Sequence, residues 1–181
     1  MGPDRIPLNN VPVRRRPTPE PVQVSGEDFF GGLRSVDVVH VRGIVRYLES
    51  QNGYLEGVSL GVIAIGDAAV RPKNRKQFPD GIDLQVHTSS ASEAEQNGRD
   101  RLVASSKIIE GLLEYSTEHD FTAVRGEDER AGADRLVVLT PSEGLPIRVF
   151  VVHPFMYPNY PRYLKGRQMF GENEGAFAVL V

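Results

Sequence analysis

Few residues in this chain have the means to do chemistry. Asp80 and Asp83 flank Gly81-Ile82, and carboxylates that converge from a strand are what a pair of divalent metals needs for phosphoryl transfer. Side chains alternate along a strand, so Asp80 and Asp83 fall on opposite faces and Asp83 is left as a single ligand. A nuclease-type site opening at Pro79-Asp80 fails for a related reason, because Gln85 and His87 stand where the strand would need an acid and a lysine. Gly57-Val58-Ser59-Leu60-Gly61 has the Gly-x-Ser-x-Gly spacing that lifts a nucleophilic serine at a strand-to-helix turn. Here an apolar strand runs straight through it. His40, His87, His119 and His153 sit on separate elements without ligand spacing, and the absence of cysteine removes thiolate sites and thiol nucleophiles. The chain is therefore expected not to be an enzyme and to carry no cofactor or metal.

Charge offers a second kind of chemistry. Arg71, Lys73, Arg75 and Lys76 cluster in the stretch between two apolar runs, a loop longer than a simple hairpin uses. It reads either as a solvated loop or as a contact for a phosphate backbone or an acidic partner surface. The whole-chain formal charge of −3 argues against a general nucleic-acid coat.

The elements that must position these residues follow from periodicity. Ile82, Leu84, Val86 and Thr88 alternate with Gly81, Asp83, Gln85 and His87, which predicts a half-buried strand. Val58 to Ile65 predicts a more central partner, apolar on both faces towards its end. Together they read as a hairpin with a long loop. Ser92 and Glu95 match a capping box, opening a helix to about Tyr115 with Leu102, Ile109, Leu112 and Leu113 on its apolar face. Ahead of the hairpin, Ser35 precedes a helix striped by Val38, Val41, Val45 and Leu48 and closed by Asn52-Gly53. Strands are further predicted at 121–124, 136–139, 147–152 and 175–181, with Glu127-Asp128-Glu129 as an acidic loop. The fold class is α+β: a mostly antiparallel sheet with two helices packed on it.

Three regions follow. Residues 1–28 carry Pro3, Pro7, Pro12, Pro17, Pro19 and Pro21 together with Arg14-Arg15-Arg16, a composition that builds neither helix nor ladder and predicts an extended arm. Residues 29–152 form the core domain, and Phe29-Phe30 is placed to pin the arm to it. Residues 153–181 are rich in aromatics and prolines, among them Phe155, Tyr157 and Tyr160, and end in a strand that needs a sheet to join. Arg14, Arg15, Arg16, Phe29, Phe30, Phe155, Tyr157 and Tyr160 are the residues expected to contact neighbouring subunits. No apolar run reaches the roughly 20 residues needed to span a bilayer, so no membrane contact is expected, and the N-terminus has no apolar secretory core.

Two resemblances follow from these residues. The order helix, strand, Gly66-Asp67 turn and second strand carrying Asp83 resembles the nucleotidyltransferase superfamily. There a Gly-Ser turn holds nucleotide phosphates and Asp-x-Asp on the next strand holds two metals. In this chain Asp67 stands at the serine position and Gly81 at the first aspartate. By element order, Ser35 to Val152 is also similar to the tail-terminator and neck (head-tail connector) proteins of tailed bacteriophages. That resemblance implies a structural protein of the virion, assembled in the host cytoplasm as a homo-oligomeric ring. It would contact copies of itself, adjoining tail-tube or neck proteins and DNA in a ring lumen, with no small-molecule substrate. The ring reading takes the arms and edge strands as joints; the alternative is a nucleotidyltransferase-like domain, active or degenerate, with Gly66, Asp67 and Asp83 at the site.

Overall fold

The computed structural model describes residues 22–55, 58–90, 94–128, 133–151 and 176–181. Strands β1 (Val22–Val24), β2 (Val58–Ile65), β3 (Ile82–Ser90), β4 (Phe121–Asp128), β5 (Ala133–Pro141), β6 (Ile147–Val151) and β7 (Ala176–Val179) join α-helices α1 (Gly26–Gly31), α2 (Ser35–Gln51) and α3 (Ala94–Glu118). The strands make one seven-stranded sheet in the order β1-β7-β2-β3-β6-β5-β4. The fold is α+β, and the sheet is mixed. The β2/β3, β2/β7, β5/β6 and β4/β5 pairs are antiparallel, whereas β1/β7 and β3/β6 are parallel. The parallel centre follows from connectivity, because α3 and the β4/β5 hairpin return the chain so that β6 enters beside β3 in the same direction.

One face of the sheet is the main core. Val62, Ala64, Ile82, Leu84, Val86, Val137, Leu139, Ile147, Val149 and Val151 pack in one cluster with Val41, Ile44 and Leu48 of α2 and Ala104, Ile108, Ile109, Leu112 and Tyr115 of α3. Val41, Val45 and Leu48 of the predicted α2 stripe and Ile109 and Leu112 of the α3 stripe meet this face, and burial of each large side chain contributes about 1.5–3 kcal/mol. The helix-helix seam is tightened by two glycines: a Cβ on Gly43 would stand 2.7 Å from the Tyr115 hydroxyl, and one on Gly111 would collide with the hydroxyl of Tyr47. Each tyrosine thus reaches over a glycine of the opposite helix.

The other face is closed as well, which corrects the half-buried reading of β3. Asp83, Gln85 and His87 are buried, and their cross-strand neighbours include Ile65 and Ile63, both fully buried, with Phe150 beside Gln85.

Several boundaries also move. Residues 22–28, assigned to the arm, belong to the fold: β1 pairs with β7, and Ser25 caps α1 by accepting from the Asp28 N–H at 3.1 Å. A three-residue strand among prolines leaves no periodicity to find. The acidic stretch at Glu127-Asp128 is the end of β4. Ser35 is the first residue of α2, whose N-cap Arg34 makes no side-chain cap bond, and the helix ends at Asn52 in a right-handed conformation, not a left-handed one. Asn52 instead accepts the backbone N–H of Leu60 through Oδ1 at 2.8 Å, tying the end of α2 to β2. The proposed Ser92 cap lies outside the described residues. The terminal strand finds its sheet within the same chain, between β1 and β2.

Candidate functional site

The carboxylate that sequence singles out sits near the start of β3, where the register places Asp83 opposite Ile65 of β2 on one side and Arg148 of β6 on the other. Arg148 Nε donates to Asp83 Oδ1, and its Nη2 reaches Asp80 Oδ1 at 3.4 Å. Burial pushes the Asp83 carboxyl up, and this outweighs the pull of the adjacent guanidinium in the other direction. For Arg148, burial works against the charge, but Asp83 and then Asp80 raise it overall. The pair is a charge-assisted contact on a closed sheet face. A metal there would have to displace an arginine.

The turn after β2 opens on a glycine in the left-handed region. Gly66 takes φ +68°, a backbone region open to glycine at little cost, and it begins a 3-10 turn over Gly66–Ala69. Asp67 follows it, half-buried, and a carboxylate at that point opposes an anionic ligand. Among the described residues no group of three or more His, Asp or Glu could hold a metal ion.

The basic loop divides into structural and exposed members. Arg75 is a staple: its Nε donates to the Val70 carbonyl at 2.8 Å, Nη1 to Gly32 at 2.6 Å and Nη2 to Ala68 at 2.7 Å. Burial lowers its pKa, with Asp67 opposing. These bonds use its donors to fold the loop back on the residues before α2. Arg71 pairs with Asp28 at 3.1 Å, both half-exposed. Lys73 and Lys76 are exposed. A cleft of about 460 Å³ lies beside them, lined by residues 31–34, Pro72, Arg75, Gln77 and Phe78, with the Arg34 guanidinium 5.7 Å from the Phe78 ring centroid.

The aromatic pair is divided in the same way. Phe29 is 1% exposed in the core, so its ring is not available to a neighbouring subunit, while Phe30 packs edge-on against it under the guanidinium of Arg42. Arg14, Arg15, Arg16, Phe155, Tyr157 and Tyr160 lie outside the described residues, as does His153. Of the remaining histidines, His87 lies buried beside Gln85, while His40 Nε2 donates to the Glu143 carbonyl and His119 Nδ1 to that of Tyr115, both on the other side of the sheet.

Two groups carry more than sequence reasoning assigned. Asp37, 1% exposed, accepts from Arg34 Nε and from the Leu145 N–H, both at 2.7 Å, and so fixes α2 to the β5/β6 turn where Gly144 takes φ +123°. Arg148 is the second; its pairing to Asp83 depends on β3 and β6 being neighbours in one register. Among the described residues, no helix is long and apolar enough to cross a membrane. No family model matches the chain, and no curated protein matches it.

Proposed function

We propose that this chain is a non-enzymatic domain on a nucleotidyltransferase-like frame, serving as an interaction or assembly component. The observation that carries the reading is the Arg148–Asp83 pair. A third acid of such a site would come from a strand beside β3, and support for the reading is that β6, the parallel neighbour of β3, carries Arg148 opposite Asp83 in place of an acid. Gly81 replaces the first acid, and Asp67 replaces the phosphate-binding serine. Every change removes metal or phosphate affinity. A ligand that binds only the folded state raises its melting temperature. Thermal unfolding with magnesium or manganese and each nucleoside triphosphate is therefore expected to show no specific shift. Metal-dependent stabilisation by one nucleotide, or release of pyrophosphate, would overturn the reading.

A second, more specific reading has one observation behind it: β4 is an eight-residue strand at the edge of the sheet with Val124 60% exposed. An open edge is a template for strand addition. This favours a subunit of a homo-oligomeric ring, of the kind found in phage tail terminators and necks, with Lys73 and Lys76 facing a partner or nucleic acid. Particle mass by light scattering tests it. A concentration-independent monomer that stays monomeric at high protein concentration would count against it.

A further inference from the structure

A cavity of about 520 Å³ opens between α2, the end of α3 and the start of β4, on the helical side of the sheet and thus away from Asp83. Five of its lining residues carry rings that touch in sequence. Tyr47 and Tyr115 lie 4.8 Å apart, Tyr115 stacks on His119 at 3.8 Å, and Phe121 stands 6.1 Å from Tyr115 and 5.2 Å from His40. The two tyrosine hydroxyls are seated over glycines of the opposite helix, which fixes the rings in place.

Two of the polar groups here are turned towards the protein's own carbonyls. His119 Nδ1 donates a hydrogen bond to the Tyr115 carbonyl at 3.0 Å and His40 Nε2 to that of Glu143 at 2.9 Å. The 25-residue helix α3 ends at this cavity with no basic residue in its last turn, so the negative end of its dipole faces the cavity, with His119 bound to one of its carbonyls. Glu118 lines the opening. Burial, and after it Glu114 and Glu118, push the Tyr47 hydroxyl pKa up, a sign of the same negative field. Among the lining residues Arg46 is the single arginine or lysine.

Aromatic faces and a negative field together select a cation of low hydration. We infer that this cavity is a binding site for a small organic cation of the alkylammonium class, held against the ring faces of Tyr47 and Phe121 with Glu118 as countercharge. The inference is independent of the function proposed above, since it uses neither Asp83 nor the sheet edges.

Choline is the probe, titrated into the full chain by calorimetry against matched sodium chloride, with ring-proton NMR shifts locating the site. Saturable binding with shifts at Tyr47, Tyr115 and His119 is expected. The uncharged isostere 3,3-dimethylbutanol is expected to bind about tenfold more weakly, since a desolvated cation–π contact accounts for that factor. E118Q, at an exposed position, is expected to weaken choline about fivefold, and R46A to leave it unchanged or tighter. No saturable choline binding, equal binding of the isostere, or loss of binding in R46A would each overturn the inference, the last by showing an anion site.

Discussion

Asp83 is where residue-level physics makes the sharpest statement. Its carboxyl is raised by burial above its ordinary value despite Arg148, so the folded state holds that proton more tightly than the unfolded chain does. The stability this contributes is complete below the unfolded pKa and is lost as pH rises through the folded one. Asn at position 83 has no proton to lose. The stability advantage of the wild type over D83N should therefore be greatest in acid and decline as pH rises above the ordinary carboxylate range, read from urea midpoints across a pH series. A flat difference, or one growing with pH, would mean that the ion pair rather than burial sets the carboxyl. Strand parity is local, so the sequence made it legible that Asp83 has no second acid on its own face of β3. It could not give the Arg148 contact, which depends on two strands 65 residues apart sharing one register. Nor could it separate Arg75 from Lys73 and Lys76: four cations in a row look alike until three carbonyls claim one of them.

At the scale of elements, alternation at Ile82 to Thr88 and the helical stripes of α2 and α3 were sufficient to identify β3 and both long helices, since each pattern lies within one element. What the patterns did not contain was the partner of each element. The polar positions of β3 read as solvent-facing, yet the face they occupy is closed, and the short β1 and α1 carry too few residues to show a period. The seam between α2 and α3 was equally hidden, as it depends on Gly43 and Gly111 meeting tyrosines from the other helix. Ala at position 111 would gain about 1 kcal/mol of helix propensity but force Tyr47 out of its place, an overpacking cost of about 1–3 kcal/mol. G111A is expected to be destabilised by about 1 kcal/mol net. Removing the hydroxyl in Y47F/G111A should restore most of that, giving a favourable coupling in a double-mutant cycle of denaturation midpoints. Additive effects would show that the ring moves aside freely.

For the molecule as a whole, the decisive element is β7. It lies between β1 and β2, parallel to one and antiparallel to the other. The chain beyond it adds bonds from Val62 N–H to the Val181 carbonyl at 3.2 Å and from Leu180 N–H to the Val62 carbonyl at 2.9 Å. Deleting residues 176–181 would strip β1 of its partner, open the edge of β2 and uncover Ala64 and Ile65, both fully buried in the intact chain. Loss of the packed side chains and ladder bonds is expected to cost on the order of 3–5 kcal/mol, which lowers the melting temperature by roughly 10 °C in a chain of this size. The exposed edge should also make the truncated protein aggregate. A strand whose place is in a neighbouring subunit would behave differently, because its deletion would leave the parent domain as stable as before and abolish assembly alone. Calorimetry and light scattering on the truncated chain separate these outcomes. The position of β7 inside its own sheet predicts the first, which would leave β4 as the edge through which strand addition could build a larger particle.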